Sequence, residues 1–186
     1  MTHRPDGGEG TGRGTGLALV GYRGTGKSTV GKILADRLER PFLDADVEIE
    51  RRAGRSIPSL FADFGEPMFR DWEERTLRDL VLEHPGAVLA TGGGAVLRPV
   101  NRALLRRFGF VAWLRAEPAE LARRLEGEER RGATRPALTA AGTLAEIEAV
   151  LESRLPLYLE VADLTVETSG RTPGQIADVI LASWPG

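Results

Sequence analysis

Residues 17–29 read Leu-Ala-Leu-Val-Gly-Tyr-Arg-Gly-Thr-Gly-Lys-Ser-Thr: an apolar run, then Gly, four residues, and Gly-Lys-Ser. Glycines at these spacings let successive backbone N–H groups converge on a phosphate chain. Lys27 adds a compact positive charge, and the Ser28 hydroxyl suits the shell of a Mg²⁺ ion. The apolar run predicts a buried strand. Val30, Ile33, Leu34 and Leu38 recur at helical spacing after the loop. Strand, glycine loop and helix in that order predict a site for a magnesium–nucleoside triphosphate, rather than a flexible turn. The chain has two lysines, Lys27 and Lys32, among twenty-five basic residues. A lysine stands where a point charge serves better than a planar fork. Lys32 has no such context and reads as a solvated helix residue.

Working outward, Phe42-Leu43-Asp44 predicts the end of a short strand, and Val47, Ile49 and Ala53 a short helix closed by Gly54. Ser56 caps a helix over Pro58–Phe64, and Glu66 to Leu82 forms a long one. Val88-Leu89-Ala90 is a buried strand opening into Thr91-Gly92-Gly93-Gly94. Pro99 to Phe108 is helical, Phe110–Leu114 a strand, and Pro118–Leu125 a helix. Residues 126–142 lack periodicity. Thr143 with Glu146 makes a capping box for a helix reaching Leu159, before a last strand at 164–166 and a last helix, Pro173–Ser183. Five apolar strands alternating with helices predict an α/β fold with three layers: a five-stranded parallel sheet between helices, plus a mobile lid over 126–142. Residues 1–16, with six glycines, read as a disordered tail, and 17–186 as one domain.

Composition narrows the functions. A net charge of −2 gives no broad basic excess, so nucleic acid is not the expected partner. There is no cysteine and there are two histidines, His3 and His84, which argues against cysteine–zinc or histidine-based chemistry. No apolar run approaches a membrane span, and the start lacks a signal peptide's apolar core. A cytoplasmic protein is expected.

In a parallel sheet, ligands sit outside the carboxyl ends of the strands. Three predicted strands end there in polar or glycine-rich loops: the phosphate loop, Asp44 with Asp46, and Gly92–Gly94. One aspartate suits a metal-bound water and the other an acceptor hydroxyl, the reading favoured by the shared edge; the alternative is a cap and a turn opening the next helix. Three glycines permit close backbone approach to a ligand. Glu48 with Arg52 and Asp36 with Arg40 fit surface pairs at i,i+4. Glu73 on the long helix either orients Arg70 from a buried position or pairs with it on the surface. Residues 123–135 interleave Arg123, Arg124, Arg130, Arg131 and Arg135 with glutamates. An arginine-bearing flap suits phosphoryl transfer, closing over a triphosphate and placing a guanidinium on developing charge. Arg135, before Pro136, is the chosen cation.

These pieces together resemble the shikimate kinase family. The matching runs are residues 21–29, Leu43-Asp44-Ala45-Asp46, Gly54-Arg55-Ser56-Ile57 with Phe61, and Gly65-Glu66-x-x-Phe69-Arg70. They continue with Gly92-Gly93-Gly94-Ala95-Val96, Arg135-Pro136-x-Leu138 and Arg154-x-Pro156-Leu157-Tyr158. The resemblance implies ATP-dependent phosphorylation of the shikimate 3-hydroxyl, on the chorismate route to aromatic amino acids; a monomer is expected. It implies that Asp46 binds the shikimate hydroxyls and accepts the transferred proton, that Arg70 and Arg154 pair with the carboxylate, and that Phe61, Phe69 and Gly92–Gly94 line the pocket. Gly24, Thr25, Gly26, Lys27, Ser28 and Thr29 hold ATP; Lys27 and Arg135 contact its phosphates; Ser28 holds Mg²⁺, with Asp44 acting through water; Arg124, Arg171 and Pro173 flank the adenine. Two alternatives stand beside it: another small-molecule kinase of the same loop type, such as a gluconate kinase, and a nucleotide-binding regulator without catalysis.

Overall fold

The computed structural model describes residues 13–130 and 144–186. The first apolar run forms strand β1 (Gly16–Val20), buried at every position and starting one residue inside the stretch read as tail. Around it lie β2 (Phe42–Asp44), β3 (Val88–Ala90), β4 (Gly109–Arg115) and β5 (Leu164–Glu167), in the order β2-β3-β1-β4-β5. Every pairing is parallel; Leu17 stands between Val88 and Phe110, and Val20 opposite Trp113. Parallel neighbours need long crossovers, here supplied by helices that cover both faces of the sheet.

Side chains alternate along a strand, so β1 feeds two cores. Leu17 and Leu19 pack with Val30 and Leu34 of α1 (Lys27–Leu38) and with Ile176 and Ile180 of α7 (Pro173–Ser183). Ala18 and Val20 pack on the other side. Their partners are Leu77 and Leu80 of α3 (Ile57–Glu83), Leu105 of α4 (Pro99–Phe108), and Tyr158 and Val161 of α6 (Leu144–Val161). A third cluster, Ile49, Ile57, Leu60 and Phe69, joins α2 (Ala45–Ala53) to α3 beside the sheet edge. A fourth, Leu121 and Leu125 with Ile147, seats α5 (Pro118–Arg130) on α6.

The two helices expected at 58–64 and 66–82 form one element interrupted at Gly65, whose φ of 76° and ψ of 173° lie outside the helical region. Ser56 caps it, accepting from the Ser59 N–H. Gly54 closes α2 at a φ of 62°. One turn of 3-10 helix, Ala95–Leu97, follows the glycine run and was not expected. Helix α5 continues to Arg130 although apolar periodicity stops: Glu126, Glu128, Glu129 and Arg130 favour helix and outweigh Gly127. Arg135, Thr143 and most of the expected lid lie outside the described residues.

The expected Asp36–Arg40 pair does not form. Helix α1 ends at Leu38, and Glu39 takes a left-handed φ of 53°, so Arg40 leaves the helical register. Its guanidinium donates instead to the carbonyls of Thr15 and Gly86 and stacks on Trp184 at 4.5 Å. The Glu48–Arg52 pair forms at 2.6 Å.

Candidate active site

The carboxyl ends of β1, β2 and β3 meet at one edge of the sheet, and each contributes a loop. After β1 the chain turns through Gly26, which has a φ of 90° and stands as N-cap of α1 with no side-chain cap. The first amides of α1 are therefore presented outward, the arrangement that receives a phosphate. Thr25 braces the loop by donating to the Tyr22 carbonyl at 2.8 Å. The Lys27 ammonium, 9% exposed, donates to the carbonyls of Gly21 and Tyr22 at 2.8 and 2.7 Å. It is held across the mouth of the loop by neutral acceptors. Ser28 and Thr29 are exposed on the first turn.

Asp44 fits both sequence readings. Its Oδ1 accepts from the Asp46 and Val47 amides as cap of α2, while its Oδ2 accepts from the Ser28 hydroxyl at 2.5 Å. Both are hard oxygen donors, as Mg²⁺ requires. Among the described residues no cluster of three or more carboxylates or histidines could hold a metal ion. An ion here would draw the rest of its shell from phosphate and water, the usual manner of Mg²⁺.

Beside this cradle lies a cavity of about 300 Å³. Asp46, Phe61, Phe69, Arg70, Gly92, Gly93, Gly94 and Arg154 all line it, so every residue expected on the acceptor side comes together. The glycines explain themselves by space. A Cβ on Gly92 would stand 2.6 Å from Asp46 Oδ1 and 3.1 Å from Glu73 Oε1, and one on Gly94 would stand 2.6 Å from the Arg70 guanidinium carbon. The Gly93 carbonyl accepts from Arg154 Nη1 at 3.0 Å and from the Tyr158 hydroxyl at 2.7 Å. The three glycines thus seat the polar groups of the cavity between them: Asp46 and Glu73 against Gly92, Arg154 on Gly93 and Arg70 against Gly94. Phe61 and Phe69 pack at 4.4 Å between ring centres, tilted by 34°, and form its apolar wall.

Arg70 is 8% exposed and held by two carboxylates: Glu73 at 2.7 Å, and Glu66 at 3.1 Å. Glu73 is 2% exposed, and its Oε1 has no hydrogen-bond partner. Burial pushes the Glu73 carboxyl above the usual carboxylate range; Arg70 pulls it the other way with less effect, and Asp46 adds to the rise. Burial also pushes the Tyr158 hydroxyl up to about 12, so it remains a donor across the physiological range. Its ring stacks on Trp113 at 5.3 Å.

On the opposite flank of the cradle, Arg124 bridges the phosphate loop and the end of β5. It donates to the carbonyls of Gly24 and Thr168 at 3.1 and 3.3 Å, and to Glu120 at 2.7 Å. Arg171 donates to the Glu167 carbonyl at 3.2 Å, and Pro173 opens α7 beside it. These three surround the end of β5, away from the acceptor cavity.

Sequence reasoning missed four polar groups at or beside the cavity. Tyr22 and Arg23 line it from the phosphate loop, Glu66 from α3, and Tyr158 reaches Gly93 from α6. The signal for Arg23 and Tyr22 was their place in the loop itself. Tyr158 stood within the matched 154–158 run, but nothing in its spacing distinguished a hydrogen-bonding tyrosine from a core one.

Known proteins resemble this chain in sequence and in fold. The family model for shikimate kinase matches residues 23–184. The shikimate kinase of Rhodopirellula baltica is 43% identical over 169 residues, covering 91% of this chain and 90% of that protein. The solved shikimate kinase of Acinetobacter baumannii, in complex with shikimate, superposes with a TM-score of 0.82 at 37% identity, covering 90% of each chain. A gluconokinase from Sinorhizobium meliloti, at 18% identity and a TM-score of 0.55, shares the fold alone.

Proposed function

The chain belongs to the shikimate kinase family, and from that premise we propose how its own residues carry the γ-phosphoryl group of ATP to the 3-hydroxyl of shikimate. The observation that supports this reading is the meeting of Asp46, Arg70, Arg154 and three glycines at one cavity walled by the phosphate loop. A small hydroxylated acid needs a carboxylate clamp and a hydroxyl acceptor. Two forked cations supply the first and an aspartate the second.

In the proposed complex, Arg70 and Arg154 receive the carboxylate. Arg70 is pre-aimed by Glu73 and Glu66, so little ordering remains for binding to supply. Asp46 accepts from the 3-hydroxyl and takes its proton as the new bond forms. Phe61 and Phe69 exclude water from one side of the ring. The amides of residues 24–29 cradle the triphosphate. Lys27 exchanges its two loop carbonyls for phosphate oxygens, and Arg135 approaches from the lid. Ser28, with Asp44 through a water, would hold Mg²⁺, which when bound neutralises charge on the β- and γ-phosphates. Arg124, Arg171 and Pro173 flank the adenine. Positioning and charge neutralisation carry most of such a transfer.

On this reading the kinase domain includes Gly16, the first residue of β1, and runs to 186, with 126–142 as a lid. We propose a cytoplasmic monomer; among the described residues no helix is long and apolar enough to cross a membrane. A coupled ADP-release assay across acceptors tests the function. Turnover with shikimate and not gluconate is expected. Turnover with gluconate alone would favour the other kinase, and binding of ATP and shikimate without transfer would favour a regulator.

A further inference from the structure

Arg23 lines the acceptor cavity from the phosphate loop, four residues ahead of Lys27. A Cβ on Gly93 would stand 3.4 Å from the Arg23 amide nitrogen and 3.5 Å from the Gly21 carbonyl. The loop that carries Arg23 is thus the partition between the triphosphate cradle and the acid cavity. Three cations and three carboxylates line that cavity: Arg23, Arg70 and Arg154 against Asp46, Glu66 and Glu73. Arg70 is held by Glu66 and Glu73, and Arg154 by the Gly93 carbonyl. Arg23 makes no hydrogen bond or ion pair among the described residues.

Removing Arg23 from this inventory would leave two cations facing three carboxylates before an acidic acceptor brought a fourth. Phosphoryl transfer then moves further negative charge to the acid side of the partition. Like charges crowded in a site of low polarity repel strongly, so a cation is needed where the phosphoryl group lands. Arg70 stacks on Gly94 and Arg154 is tied to Gly93, whereas Arg23 comes off the cradle itself, on the side from which the phosphoryl group arrives.

We propose that Arg23 grips the phosphoryl group from the acid side of the partition and then holds the phosphate of the product. This inference rests on the acceptor reading above. In the step, the bond from γ-phosphorus to the β–γ bridging oxygen breaks and its electron pair leaves with ADP. A lone pair of the acceptor oxygen forms the new P–O bond, and the hydroxyl proton passes to Asp46. Arg23 donates two N–H groups to the equatorial oxygens throughout and exchanges no proton.

The test is calorimetric titration of shikimate and of shikimate 3-phosphate into wild type, Arg23→Ala and Arg23→Lys, with steady-state kinetics alongside. Loss of a charge-assisted pair is expected to raise the Kd for the phosphate ester by about 10–100-fold. The Kd for shikimate changes less than about threefold, and kcat falls at saturating substrates. Arg23→Lys recovers part of both losses, because it restores charge without the fork. Equal weakening of both ligands would assign Arg23 to the carboxylate and overturn the proposal, as would no change in either. Wild-type turnover of shikimate is the control. Its absence would remove the acceptor reading and this proposal together, while its presence with an unaltered Arg23→Ala would remove this proposal alone. Arg23 is part-exposed and packs no core, so both variants should fold; a thermal melt checks this.

Discussion

Gly94→Ala puts one methyl group against the centre of the acid clamp. The new Cβ would stand 2.5 Å from Arg70 Nη2 and 2.6 Å from the guanidinium carbon. Ordinary carbon contacts lie near 3.5 Å, so the guanidinium must retreat by about 1 Å. It is the end of a flexible side chain and can swing, so the fold should survive. Its hydrogen bond to Glu73, now 2.7 Å, cannot survive in place, and neither can its aim into the cavity. A charge-assisted hydrogen bond contributes about 1.5–3 kcal/mol, which converts to roughly 10–150-fold. We expect kcat/KM for shikimate to fall within that range, KM for ATP to change little, and the melting temperature to drop modestly. Gly174→Ala is the control: its nearest atoms would be 3.9 Å from the new Cβ, so neither activity nor stability should suffer. Steady-state kinetics with each substrate varied, and a thermal melt, read all of this. A Gly94→Ala enzyme with wild-type kcat/KM for shikimate would refute the claim that Arg70 must lie flat on that glycine.

Lys27→Met and Asp46→Asn should each nearly abolish turnover while circular dichroism reports an intact fold; an Asp46→Asn enzyme within tenfold of wild type would remove the aspartate from proton transfer. Tyr158→Phe keeps the stack on Trp113 but removes a donor to Gly93, so urea unfolding should show a loss of about 1 kcal/mol, with a several-fold rise in KM for shikimate. Because burial raises the Glu73 carboxyl, the folded protein holds that proton more tightly than the unfolded chain. Wild-type stability from this group therefore falls as pH rises above about 4.3, the unfolded value, and is fully present only below it. Glu73→Gln should gain stability relative to wild type as pH is raised through the mildly acidic range; a pH-independent difference would contradict the raised carboxyl.

The strands were legible because burial on both faces demands unbroken apolar runs, as in Leu17–Val20 and Val88–Ala90. The helix boundaries were legible where a residue type announces them: Gly54 closes α2, Ser56 opens α3 and Gly65 interrupts it. Asp44 shows the limit of choosing between readings. One carboxylate oxygen caps α2 and the other meets Ser28, so both readings hold at once. Burial was not legible. The spacing of Arg70 and Glu73 suits a surface pair as well as a buried one, and only packing under Gly92 and Gly94 decides it. Arg40 misled because its pairing with Asp36 assumed a helix that stops two residues earlier. Arg23 was read as part of a motif whose glycines and lysine drew the attention, although the residue also lines the neighbouring cavity.

The central claim is that Arg70, braced by Glu73, recognises the carboxylate of the acceptor in the cavity beside the cradle. The most direct measurement compares kcat/KM for shikimate and for its neutral carboxamide in wild type and in Arg70→Ala. The account requires a large penalty for the carboxamide in wild type, of order 10-fold or more, that shrinks nearly to nothing once Arg70 is gone. The same penalty in both enzymes would place the carboxylate elsewhere and contradict the account.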